Sequence, residues 1–115
     1  MKARQKGYTL VEVMVVVAII AMLTAIGVPS LLKARLTSQR NKCMGNARLL
    51  RQAITQYATE HDKGSDYVPL ANASECIEYM KGNRLPLCSQ DEEYSLSGTI
   101  DHLVVSCPVH GDFAQ

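Results

Sequence analysis

The chain has 115 residues, 47% of them hydrophobic and 20% charged, with a formal net charge of +1. That length holds one domain and no more, and the sequence contains no internal repeat or low-complexity tract. The near-neutral total hides a segregation. Lys2, Arg4 and Lys6 lie in the first seven residues, residues 13–59 hold six bases and no acid, and residues 60–115 hold ten acids and three bases. The chain reads as a basic tip, an apolar-then-basic stem and an acidic head.

The first predicted element is a helix. Val13–Val28 is a run of sixteen residues without a charge, extended by Leu10 and Val11 upstream and by Leu31 and Leu32 downstream. A helix rises about 1.5 Å per residue and a bilayer core is about 30 Å thick, so roughly 20 residues span it. In lipid the backbone must pair within the segment, which favours helix despite the many β-branched residues. Glu12 stands at one edge of this run, and a carboxylate near the membrane centre costs about 2.5–3.5 kcal/mol on insertion scales. Three readings compete. A secretory signal peptide has a basic start, an apolar core and here a small-residue site at Ala25-Ile26-Gly27, but a carboxylate heading the apolar region is unusual for it. A plain single-pass anchor explains neither Glu12 nor the Gly7-Tyr8 junction before it. The third reading explains both.

The stretch KGYTLVEVMVVVAIIAMLTAIGVPSLLKAR resembles the amino-terminal signature of type IV pilins and type II secretion pseudopilins. The resemblance covers about the first third of the chain, and leader charge, Gly, glutamate spacing, apolar length and proline agree together. It implies that residues 1–7 are a basic leader, that prepilin peptidase cuts between Gly7 and Tyr8, and that Tyr8 then becomes the N-methylated first residue. Tyr8 departs from the Phe or Met usual there, while remaining bulky and aromatic. Glu12 becomes fifth in the processed chain, where the family keeps its glutamate, and Pro29 matches the family's helix-kinking proline. The resemblance further implies that Glu12 pairs with an amino-terminal amine, that of a neighbouring subunit, and so sets the register of each subunit entering a filament. An unpaired buried charge is heavily penalised and a paired one much less. The partners implied are further copies in a homo-oligomeric helical filament, prepilin peptidase, and an inner-membrane assembly platform with its ATPase. The location implied is single-pass in the bacterial inner membrane before assembly and a periplasmic or extracellular filament after it.

Residues 8–32 are then the transmembrane and assembly half of the helix, with Tyr8, Glu12, Gly27 and Pro29 as its assembly residues. Pro29 removes one helical hydrogen bond and crowds the preceding turn, and Gly27 adds backbone freedom, so a kink or a melting point is expected there. Residues 33–61 form the upper half. Cys43, Ala47, Leu50, Ile54 and Tyr57 recur at four-three-four-three spacing, the stripe of an amphipathic helix. One helix from about Thr9 to about His61 follows, on the order of 80 Å at 1.5 Å per residue, ended by the breakers Gly64 and Pro69. Lys33, Arg35, Arg40 and Lys42 read as a solvated face just outside the bilayer, or as a surface for the acidic heads of neighbouring subunits. No aromatics interleave them to stack nucleobases, so nucleic-acid binding is not expected.

The head, residues 62–115, is small for an independent core and leans on the stem. Residues 72–83 read as a short helix with Asn72 or Ser74 as cap, Ile77 and Met80 inward and Gly82 as stop. EYSLSG and HLVVSC read as a hairpin joined at SGTID, and CPVHG as a closing Pro-Gly turn. The fold class expected is α+β: a long kinked helix packed on a small disulfide-bonded head.

Cys43, Cys76, Cys88 and Cys107 permit three pairings, and sequence alone does not choose among them. A head outside the cytoplasm favours disulfides, with Cys88–Cys107 flanking the hairpin and Cys43–Cys76 tying the short helix to the stem as the preferred pairs. A bridge over fifteen or more residues contributes about 3 kcal/mol. Cys88, Cys107 and His110 also suggest zinc, but without the double C-x-x-C spacing, so no metal or cofactor is expected. Asp91, Glu92 and Glu93 suggest calcium only by resemblance to some pseudopilin heads, and an acidic run is usually a solvated loop. His61, His102 and His110 read as surface or structural residues. No nucleophile motif, phosphate loop or helical His pair is present, so the chain is expected to be an enzyme's substrate rather than an enzyme. The contrasting reading is a membrane-tethered or secreted small domain that captures a ligand or metal.

Overall fold

A computed structural model describes residues 6–114 of the chain. The expected leader lies, up to residue 5, outside the described residues. The elements are a helix α1 (Leu10–Glu60), a 3-10 helix (Ser74–Tyr79) and three short strands, β1 (Ser95–Ser97), β2 (Val104–Cys107) and β3 (Gly111–Phe113). Two compact units divide the chain, one ending at Leu36 and the other beginning at Thr37.

In the first unit every residue from Leu10 to Leu36 is exposed. No stripe emerges because apolar side chains occupy all sides of the helix, the pattern of a helix whose solvent is not water. By length and composition this part of α1 is able to cross a membrane. Thr24, the hydroxyl in the middle of the run, donates back to the carbonyls of Ile20 and Ala21, both at 3.0 Å, so this side chain's own polar group is paired within the helix. Gly27 and Pro29 both lie inside α1, and the helix passes through them unbroken. The backbone bond lost at the proline is one among many, which the remaining ladder tolerates.

The second unit has a core. Cys43, Ala47, Leu50, Ala53, Ile54 and Ala58 are the buried residues of α1. Four of the five expected stripe positions are among them, and Tyr57 is half-buried. Facing them are Ala73, Cys76, Cys88, Tyr94, Leu96, Leu103, Val105 and Cys107. Leu96 and Val105 pair directly across the β1–β2 hairpin and point to the same side of the sheet, which is the side that packs on the helix. Arg51 fastens helix to sheet from the edge, donating through Nη2 to the carbonyls of Leu103 at 3.0 Å and Phe113 at 2.9 Å. The loop after α1 pairs its own backbone with the hairpin, Leu96 donating to Ala71 at 2.9 Å and Ile100 to Tyr67 at 3.0 Å.

The hairpin is antiparallel with Ser95 opposite Ser106 and Ser97 opposite Val104. Its turn requires glycine: Gly98 has φ +88°, and a Cβ there would lie 2.3 Å from the carbonyl oxygen of His102. Two expectations are corrected. The helix expected over residues 72–83 is a 3-10 helix over Ser74–Tyr79 alone, and its fully buried residue is Cys76, with Ile77 and Met80 only half-buried. Its entry turns through Ala73 at φ +55°, and Asn72 Oδ1 accepts the Ser74 amide at 3.2 Å, a turn that competes with a regular cap. Six residues are too few for a stable α-helix. Beyond the expected closing turn, CPVHG also begins a third strand: β3 pairs with β2, with Cys107 opposite Gly111, and Gly111 at φ +88° supplies the reversal.

Candidate functional site

Two places bring chemistry-bearing residues together. The first is the start of α1. Residues 6–9 are irregular and exposed, and Tyr8 is 88% exposed. The Gly7–Tyr8 peptide bond therefore stands free of regular structure immediately before a helix, with no side-chain obstruction around Gly7. Thr9 occupies the cap position and Glu12 the third helical position. The Glu12 amide donates to Thr9 Oγ1 and the Thr9 amide donates to Glu12 Oε2, each at 3.2 Å. This reciprocal capping box satisfies two backbone donors at a helix start. Glu12 thus already has a partner within its own chain, and its negative charge lies at the positive end of the helix dipole. The sequence signal, Thr-x-x-Glu before an apolar run, is overshadowed by the charge argument about Glu12.

The second place is in the other unit. Cys43 from α1, Cys88 from the segment before β1, Cys107 at the end of β2 and His110 in the β2–β3 turn bring their ligand-type atoms within 4.8 Å of one another. The three cysteines are buried and His110 is half-buried. His110 Nδ1 lies 3.2 Å from Cys88 Sγ and 3.6 Å from Cys107 Sγ. The Tyr94 hydroxyl donates to Cys43 Sγ at 3.2 Å. Asn46 Nδ2 in turn reaches the Tyr94 hydroxyl at 3.2 Å and the Leu87 carbonyl at 3.0 Å. Burial pushes the Cys43 thiol up to about 12, against the lowering effect of the Tyr94 hydroxyl. At Cys88 the upward push of burial is outweighed by the Gln90 backbone amide, Cys107, the Ser89 hydroxyl and His110, which bring it down to about 7.

The four cysteines are free thiols in the structure. Cys43 is grouped with Cys88 and Cys107, while Cys76 lies outside the group and its thiol donates to the Ala73 carbonyl at 3.1 Å. The preferred Cys88–Cys107 pair is thus brought together, but Cys43 joins that pair instead of meeting Cys76 there. His110, which the sequence offers both as a zinc donor beside Cys88 and Cys107 and as a surface or structural residue, stands with those two cysteines, and the spacing Cys107-Pro-Val-His110 places two of the donors on one turn. His61 stacks on Tyr57 with ring centroids 4.2 Å apart, and His102 is exposed. Asp91, Glu92 and Glu93 are exposed around a turn in which Asp91 has φ +59°. Among the described residues their carboxylates join no group at metal-ligand distances.

Residues 2–28 match the family described as "Prokaryotic N-terminal methylation motif". The chain carries an N-terminal methylation motif. The motif contains Gly7, Tyr8, Glu12 and Gly27 and ends one residue short of Pro29. Three relatives agree with it. The type IV major pilin protein PilA of Myxococcus xanthus is 38% identical over 64 residues, 56% of this chain and 29% of its own length. A type IV major fimbrial protein FimA of Dichelobacter nodosus is 36% identical over 103 residues, 89% of this chain and 58% of its own. The prepilin peptidase-dependent protein D of Escherichia coli is 36% identical over 87 residues, 67% of this chain and 57% of its own. The chain spans less than two thirds of each of these relatives. No solved structure matches the chain. The methylation motif thus covers the exposed junction and the capping box, while the cysteine cluster lies wholly outside it.

Proposed function

We propose that this chain is a structural subunit of a type IV pilus or of a type II secretion-like pseudopilus. One conjunction carries the reading: an exposed Gly7–Tyr8 junction inside a methylation motif opens directly onto a helix that, from Leu10 to Leu36, buries nothing within its own chain. So large an apolar surface requires a cover, first lipid and then the helices of neighbouring subunits. The prepilin peptidase-dependent relative supports processing, and the two pilus relatives support assembly. In this role the chain is a substrate of prepilin peptidase rather than an enzyme. It waits as a single-pass inner-membrane protein and is delivered by an assembly platform and ATPase into a periplasmic or extracellular helical filament.

Cleavage between Gly7 and Tyr8 turns a neutral peptide into a cation one helical turn before Glu12. The capping box then defines what Glu12 does in two settings. In the lone subunit its carboxylate holds the Thr9 amide. In the filament a neighbour's methylated Tyr8 amine is the stronger partner, since it brings a full positive charge to the carboxylate where the Thr9 amide brings only a dipole. The gain is largest at one stagger of the subunits, which fixes register. Gly27 and Pro29 give the helix a place to bend or unwind as subunits pack. The experiment is Glu12→Ala in the producing cell. The expected result is a processed, membrane-inserted chain that forms few or no filaments. Normal filament number and length from that variant would remove the register role and the reading built on it.

A further inference from the structure

We infer that Cys43, Cys88, Cys107 and His110 hold a single structural zinc ion that ties α1 to the sheet. Nothing in the methylation motif or in the proposed filament role requires this site, and it stands independently of both. Three thiols and one imidazole are the soft and borderline donors that zinc selects, and four protein ligands make a closed, tetrahedral, structural site. A tetrahedron with Zn–S of about 2.3 Å and Zn–N of about 2.0 Å has edges of roughly 3.5–3.8 Å. The donor atoms here all lie within 4.8 Å of one another, and the two imidazole–sulfur separations are 3.2 and 3.6 Å. The two imidazole–sulfur separations already match such an edge, and the widest of the others has to close by about 1 Å to take up the ion. So tight a group fits one ion and leaves no room for a cluster of several.

The surroundings are built in the same sense. Tyr94 donates to Cys43 Sγ and is itself positioned by Asn46, whose amide also holds the Leu87 carbonyl next to Cys88. Such outer hydrogen bonds orient ligands and stabilise thiolate charge. The three thiols give up their protons to solvent as the ion binds. A disulfide is the competing fate, but three sulfurs converge, so any one bond leaves the third as a buried thiol facing an imidazole. Cys76, the remaining cysteine, has its own acceptor at the Ala73 carbonyl and lies outside the group. The sequence suggests three of the donors, Cys88, Cys107 and His110, without a double C-x-x-C spacing; the fourth, Cys43, comes from the helix, 45 residues before Cys88, and only the fold brings it to them.

The test uses the full chain purified in detergent without added reductant or chelator. Zinc content is measured first, and the ion is then exchanged for Co2+. The expected result is one metal per chain, with intense tetrahedral d–d absorption and a thiolate-to-cobalt charge-transfer band. Cys76→Ser keeps that spectrum and stoichiometry. Cys43→Ser and Cys107→Ser lose the metal, and His110→Cys retains it with a spectrum shifted toward four sulfurs. Tyr94→Phe weakens metal binding by about 10–100-fold. An octahedral cobalt spectrum, retention of tetrahedral cobalt when Cys43 and Cys107 are both replaced, or a metal-free protein with two of the three clustered cysteines joined as a disulfide would each overturn the inference. The wild-type measurement decides without any variant having to fold.

Discussion

The lower and upper parts of α1 are one helix by backbone and two different objects by side chain. From Leu10 to Leu36 every residue is exposed, whereas from Cys43 to Ala58 one face is fully buried and the others are wet. The upper part has an ordinary amphipathic stripe whose partner, the sheet, is encoded in the same chain. The lower part has no stripe, and every one of its residues is left exposed. The difference teaches that helix formation says little about what a segment is for. The angular spread of the apolar residues says whether the covering surface is this chain's own.

The largest expected effect contrasts the two parts directly. Leu50 is 1% exposed in the core, so Leu50→Ala should cost the second unit about 2–5 kcal/mol. Val16, 55% exposed, should cost that unit less than about 0.5 kcal/mol as Val16→Ala. Thermal unfolding followed by near-ultraviolet circular dichroism in detergent checks both, and comparable losses would mean that the lower part does pack on its own chain. A smaller effect sharpens the lower end. Thr9→Ala removes one half of the capping box and should cost the helix start about 1 kcal/mol, read as faster hydrogen exchange of the Glu12 amide, which Thr9 Oγ1 accepts, with no change in the head. Smallest is a pH effect at the top of α1. The Tyr79 hydroxyl donates to Glu60. That bond, with Gln56, lowers the Glu60 pKa from 4.5, and it raises Tyr79 from 10.0 to about 12. Its stabilisation is therefore complete above the unfolded glutamate pKa and below the unfolded tyrosine pKa. It is lost as pH falls through the depressed Glu60 value or rises through about 12. The Tyr79 ring resonances in an NMR titration should move in those two windows, while the core resonances stay fixed.

Much of this was legible in the sequence, for identifiable reasons. The stripe Cys43, Ala47, Leu50 and Ile54 is a periodic signal many residues long, and the β1–β2 hairpin is marked by alternating apolar residues on either side of Ser97-Gly98. The charge-free run and the Gly7–Tyr8–Glu12 spacing were equally plain. What was illegible depends on contacts between distant segments. β3 is three residues, Gly-Asp-Phe, with little strand preference of its own, and exists because β2 offers it an edge. The 3-10 helix shows weak local preference yielding to the burial of Cys76. The thiol–imidazole group needs the fold to exist before its donors meet. The capping box is the opposite case, a purely local signal, Thr-x-x-Glu before an apolar run, carried by a glutamate whose charge in that run is the more conspicuous feature.

The measurement that tests the central claim most directly is the intact mass and amino-terminal sequence of the protein recovered from the membrane and filament fractions of the producing cell. The account predicts a chain that begins at Tyr8 and carries a methyl group on its amine. A chain that begins after Gly27, or one that still carries Met1, would contradict it, because Glu12 would then be removed with a signal peptide or left with no processed amine to meet.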